Sequence, residues 1–149
     1  MRYGECMEGV QLEQGKVVFF DGGCLLCSSV VKWTHERDRL GQMWFASLDS
    51  RFAANYREEL SLPSAGEGAE TFGYWDRERG RVSFRSNGAL ALFHDLGGVW
   101  AGLAVLGRIV PCRVRDVIYN WIAKNRRHWF GSSESCVLPP ASLQGRVLE

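Results

Sequence analysis

The chain has 149 residues, enough for one domain with a buried core and short for two. Its 46% apolar and 23% charged content is the balance of a globular domain rather than of a disordered one. A formal net charge of +1 argues against nucleic-acid or anionic-membrane binding by bulk charge.

Residues 1–15 carry acids and lack an apolar segment, so no secretory signal is read there and a flexible N-terminus is expected before a single domain over 16–149. KVVFF (Lys16–Phe20) is a β-branched and aromatic run ended by Asp21-Gly22-Gly23, the pattern of a buried strand. From Cys24 to about Arg39 there is no Gly or Pro, and Cys27, Val30, Val31 and Thr34 fall on one helical face. MWFASL (Met43–Leu48) reads as a second strand. Asp49 or Ser50 then caps a helix reaching about Leu60. Residues 62–70 are loop by composition. TFGYW (71–75) and RVSFR (81–85), joined by a turn ending at Gly80, form a hairpin. Ser86 is placed to cap a helix whose core face would be Ala89, Leu90, Phe93 and Leu96, closed by Gly97-Gly98.

This order, β-α-β-α-β-β-α, is that of a thioredoxin-like α/β fold with a right-handed first crossover. Two additional C-terminal helices follow. One, over 100–110, is apolar, closed by Pro111 and read as buried or interfacial. It is too short and too glycine-rich for a membrane span, and membrane contact is not expected. The other, over 113–126, carries Val114, Val117, Ile118, Trp121 and Ile122 on one face and ends in the cation-rich stretch from Asn125 to Gly131. Trp33, Trp100 and Trp121 are expected in the core or at an interface.

Five cysteines, an odd count without a signal segment, suit a reducing cytoplasm rather than a secreted disulfide scaffold. Cys24 and Cys27 form a CxxC pair where a strand hands over to a helix. Free N–H groups and the helix dipole favour a thiolate there, though the dipole supplies only about 0.3–1 kcal/mol. Cys24 is therefore assigned as nucleophile and Cys27, one turn further in, as resolving thiol. Asp21 stands three residues before Cys24. A carboxylate opposes thiolate formation nearby, so the couple is expected to be moderately reducing. From a buried strand end, Asp21 would exchange protons with Cys27; the alternative is a cap of the turn.

Other readings compete. The pair could be two buried apolar cysteines. A zinc site needs two more ligands, but Cys6, Cys112, Cys136, His35, His94 and His128 are scattered singly, so no metal and no cofactor is expected. A phosphatase motif would need a second Asp where Gly23 stands. A non-catalytic module would use the apolar helices from Trp100 to Ile122 as its working surface. Arg126 either packs at its helix end or reaches the cysteine site. Cys136 is either a small buried group or a third redox thiol, and Cys6 is read as incidental.

FDGGCLLC, WFASLDS, RSNGAL, RDVIYNWIAKNRRHWFG and CVLP, in that order from about Val17 to Val137, resemble the DCC family, named for its Asp-Cys-Cys signature. The resemblance implies a thioredoxin-like fold and thiol-disulfide exchange at Asp21, Cys24 and Cys27. The reactants would be a disulfide-bearing protein or a small thiol and an external thiol reductant. Two features depart from thioredoxins. Gly23, not an aromatic residue, precedes Cys24, and no proline precedes the third strand, Pro63 lying too early. A small thiol or a dedicated partner thereby gains weight as substrate.

Overall fold

The computed structural model describes residues 15–21, 25–62, 72–130 and 145–148. The elements in chain order are β1 (Lys16–Phe20), α1 (Leu25–Arg37), β2 (Met43–Ser47), α2 (Arg51–Leu60), β3 (Gly73–Asp76), β4 (Arg81–Phe84), α3 (Arg85–Leu96), α4 (Gly98–Ile109), α5 (Cys112–Phe130) and β5 (Val147–Leu148). The sheet order is β4-β3-β1-β2-β5. β1 lies parallel to β2 and antiparallel to β3, with Val18 opposite both Phe45 and Tyr74. The fold is thus the expected mixed α/β, thioredoxin-like arrangement, with the first βαβ crossover and the hairpin where the residue patterns put them.

Alternation along β1 divides the core. Val18 and Phe20 join Cys27, Val31, Phe45, Tyr74 and Leu92 on the face covered by α1 and α3. Val17 and Phe19 join Ala46, Leu48, Ala53 and Trp75 on the face covered by α2. Both faces of β1 are therefore apolar, as its unbroken hydrophobic run requires. On α1 the expected face is the one buried, with Cys27, Val31 and Thr34 inside and Val30 half-buried. Ser50 caps α2, its Oγ accepting a hydrogen bond from the Ala53 N–H at 3.1 Å.

One polar side chain of β1 is deeply placed. Lys16 is 5% exposed. Its Nζ donates to Asp95 Oδ2 at 2.9 Å and lies 3.5 Å from Asp76 Oδ2, while the Tyr74 hydroxyl donates to the same Asp95 oxygen at 2.7 Å. Burial works against charge on Asp95, but the bonds from Tyr74 and Lys16, the Lys16 charge and the bond with His94 outweigh it and hold its carboxyl below the ordinary value. Burial and the bond to Asp95 push the Tyr74 hydroxyl far up, so it stays neutral.

Several expectations change. β3 begins at Gly73, two residues later than read. Ser86 is not the α3 cap: Phe84 stands at that position without a side-chain cap, and the Ser86 hydroxyl is used elsewhere. The buried apolar side chain of α3 is Leu92, with Ala91 and Leu96 packed beside it, rather than a face centred on Ala89, Leu90 and Phe93. Phe93 instead packs with Trp33 and Trp100, whose rings meet edge-on at 4.6 Å. α4 starts at Gly98, because the left-handed Gly97 and Gly98 (φ 74° and 57°) turn the chain straight into it. A Cβ on Gly107 would stand 2.7 Å from Leu90 Cδ2, so glycine is what lets α4 lie close on α3. α5 runs on to Phe130, past the expected stop.

The largest change concerns exposure. Leu103, Leu106 and Ile109 of α4, and Val114, Val117, Ile118 and Trp121 of α5, face solvent, Val117 at 69% and Trp121 at 60%. α4 is therefore not buried, and Trp121 is not a core residue. β5 was not expected; it adds in parallel to β2 through Phe45–Val147 and Ala46–Leu148. The proposed flexible N-terminus, over 1–15, lies almost wholly outside the described residues. Among the described residues no helix is long and apolar enough to cross a membrane.

Asp95→Asn should cost about 3 kcal/mol in urea unfolding, because the buried Lys16 charge keeps only the longer Asp76 contact. The folded Asp95 carboxyl lies below its unfolded value of about 3.9. Its stabilisation is therefore complete above that value and is lost as pH falls through the lower folded value. The acid limb of a stability-versus-pH curve should be correspondingly shallower in the variant.

Candidate active site

Parallel pairing of β1 with β2 brings their C-terminal ends to one edge of the sheet, with Phe20 opposite Ser47. Antiparallel pairing places the start of β3 and the end of β4 at the same edge, Gly73 lying opposite both Phe19 and Phe84. Helices α1, α2 and α3 all begin here, so their N-terminal N–H groups and positive dipole ends are gathered along one side of the fold.

Asp21 directly follows β1 at this edge and is 2% exposed. Cys27 sits in the first turn of α1, 8% exposed, on the side that packs with Val18, Phe20 and Val31. Both of these signature residues are buried, one directly after β1 and the other in the first turn of α1. Cys24 lies outside the described residues, immediately before the first residue of α1. Cys136 also lies outside them, as does the Arg126 side chain.

The same edge holds residues that the sequence reading did not place in the site. α5 starts against the start of α3. The Ser86 hydroxyl donates to Asp116 Oδ1 at 2.5 Å, and Cys112 Sγ lies 3.5 Å from Asp116 Oδ2. Arg115 Nη2 donates to Asn87 Oδ1 at 3.2 Å, and the Asn87 amide approaches Cys112 Sγ at 3.8 Å. The bond from Ser86 chiefly holds the Asp116 carboxyl below its ordinary value against slight burial. The Cys112 thiol and the Arg85 and Arg115 charges add to the effect. Arg85 adopts a left-handed backbone, φ 57°, at the junction of β4 and α3. That conformation costs a non-glycine residue roughly 1–2 kcal/mol, the sort of local strain that packing must hold in place.

α5 turns its polar side to the body of the protein. Arg115, Asp116, Tyr119, Asn120 and Ala123 are half-buried, while the apolar stripe faces out. The clue was present in the sequence, since Arg115, Tyr119 and Ala123, and Asp116 and Asn120, recur at helical spacing opposite the apolar residues.

A family model described as DCC1-like thiol-disulfide oxidoreductase matches residues 18–132. The chain belongs to this family. It is 38% identical over 133 residues to the uncharacterized protein YuxK of Bacillus subtilis, covering 89% of this chain and 93% of that one. It is 30% identical over 122 residues to a chloroplastic DCC family protein of Arabidopsis thaliana, covering 82% and 69%. No solved structure matches it. The family match spans both the Asp21–Cys27 segment and the Ser86–Asp116 contact, so the α3–α5 junction belongs to the family's domain rather than to an appendage. Among the described residues no three His, Cys, Asp or Glu side chains gather as metal ligands would.

Asp116→Ala should loosen the start of α5 from α3 at a cost of about 1 kcal/mol, since the part-buried hydrogen bond from Ser86 is lost. Hydrogen exchange should show faster opening of the first turns of α5 while β1 amides stay protected. Equal loosening of both would contradict the assignment of Asp116 as a local tie.

Proposed function

We propose that the chain exchanges dithiols and disulfides through Cys24 and Cys27. The observation that supports this reading is the burial of Cys27 in the first turn of α1, six residues after the buried Asp21 that follows β1. Family membership supports it. The Cys24 thiolate attacks one sulfur of a substrate disulfide and expels the other as a thiolate, leaving a mixed disulfide. Cys27, giving its proton to Asp21, attacks the Cys24 sulfur and expels the second substrate thiolate. The substrate gains two electrons, the protein is left as the Cys24–Cys27 disulfide, and an external thiol reductant resets it.

Burial of the resolving thiol means that it reacts only with a sulfur brought to Cys24, which protects it from adventitious oxidation. The segment from Ser64 to Phe72, just ahead of β3, contains no proline. A small thiol disulfide or a dedicated partner therefore suits the site better than a broad range of protein disulfides. Cytoplasmic operation fits the cysteine usage.

Cys27→Ser should accumulate mixed disulfides through Cys24, seen as adducts by mass spectrometry and lost on adding a reductant. Absence of adducts, together with failure of the Cys24–Cys27 disulfide to form in glutathione buffers, would overturn the reading. Asp21→Asn should slow resolution, not the first attack, by on the order of 10²-fold in single-turnover measurements.

A second reading is favoured by the exposed apolar side chains of α4 and α5: a non-catalytic module that binds a partner through this face. Under that reading Cys24→Ser with Cys27→Ser leaves cellular function intact, whereas Leu106→Glu or Ile118→Glu abolishes it. The opposite pattern supports the exchange reaction.

A further inference from the structure

A cavity of about 460 Å3 opens between the β3–β4 hairpin and helices α3, α4 and α5. Four arginines from four segments line it: Arg79 in the hairpin turn, Arg81 on β4, Arg108 on α4 and Arg115 on α5. Two acids also line it, Asp76 and Asp95, but both are already engaged. Asp95 is held by Lys16 and Tyr74, and Asp76 by Lys16 and Arg79. Arg81 and Arg108 make no ion pair among the described residues. Arg115 is the telling one. Its Nη2 donates to Asn87, and its Nε and Nη1 have no hydrogen-bond partner among the described residues.

Like charges around one cavity repel one another, and Arg81 and Arg108 have no acid to offset them among the described residues. An anion relieves that repulsion. Planar guanidinium forks bind phosphate and carboxylate oxygens in pairs, and the volume is that of a small-molecule site rather than of a single monatomic ion. We propose that this cavity binds a small polyanion carrying two or more phosphate or carboxylate groups, with the half-buried Arg115, held to Asn87, and with Arg81 and Arg108 as its cationic contacts. Neither Asp21 nor Cys27 lines the cavity. The site is therefore independent of the redox reading and would act on the protein as an effector or storage site. By joining the hairpin, α4 and α5, the ligand would also hold the α3–α5 junction closed.

The test is calorimetric titration of the full chain with pyrophosphate and, separately, citrate, in low-salt buffer. Saturable binding of either probe at one site is the expected result, and which of them binds tells phosphate from carboxylate chemistry. Arg115→Gln and Arg108→Gln should each weaken binding at least tenfold. Arg108 is exposed, so its variant keeps the fold, which circular dichroism verifies for both. Arg113→Gln, an exposed cation of α5 that does not line the cavity, should leave affinity unchanged, as should Cys27→Ser. The proposal is overturned if neither probe binds, or if Arg113→Gln weakens binding as much as Arg108→Gln, the signature of diffuse charge attraction.

Discussion

Lys16 is an ammonium placed on the central strand, whose other four residues are apolar. A charge so far from water is stable only with acids against it, and Asp76 and Asp95 supply them from β3 and from the last turn of α3. Much of the architecture follows. Asp95 cannot reach Lys16 unless α3 lies along β1 and β3, and Tyr74, donating to the same carboxylate, sets the position across the sheet. With the C-terminal end of α3 pinned at one end of the sheet, its N-terminal end stands at the other, the end at which β1 and β2 finish. The ion cluster thereby positions, from the opposite end of the molecule, the edge at which Asp21 and Cys27 lie.

At that edge the protein departs from ordinary amphipathic logic. α5 packs with its polar side inward, tied to α3 by Ser86 and Asp116, and shows its apolar stripe to solvent. A helix held this way has little hydrophobic free energy securing it; directional bonds and charge hold it instead. Such contacts are specific in geometry and modest in strength, the properties of an element that can shift without unfolding the core beneath it.

The legible and illegible parts of the fold divide along physical lines. The strand Lys16–Phe20, the buried face of α1 and the Ser50 cap were readable because each rests on neighbours within a few residues. That Asp21 would follow β1 and Cys27 would lie in the first turn of α1 was readable because a strand-to-helix handover confines both to a few residues. The role of Ser86 was not, because its partner Asp116 lies thirty residues on, and a hydroxyl that caps and a hydroxyl that bridges look alike in sequence. The inverted orientation of α5 was hidden for a related reason. Periodicity shows that a helix has two unlike faces but not which of them meets the protein, and here long-range polar contacts decided it. The four cavity arginines, spread over residues 79–115, become neighbours only when the hairpin, α4 and α5 are assembled.

β5 is two residues long, yet it occupies the outer edge of β2. Its placement is reinforced by Arg146, whose backbone carbonyl accepts from the Phe45 N–H at 2.9 Å and whose guanidinium donates to the Gly41 carbonyl and lies 5.1 Å over the Trp44 ring. Without it, β2 would offer a row of unpaired amides and carbonyls beside apolar side chains, a template on which strands of other molecules can add. This short strand therefore works as a shield against self-association. Alterations near Val147 and Leu148, including fused tags, bear on colloidal behaviour well before they bear on chemistry at the cysteines.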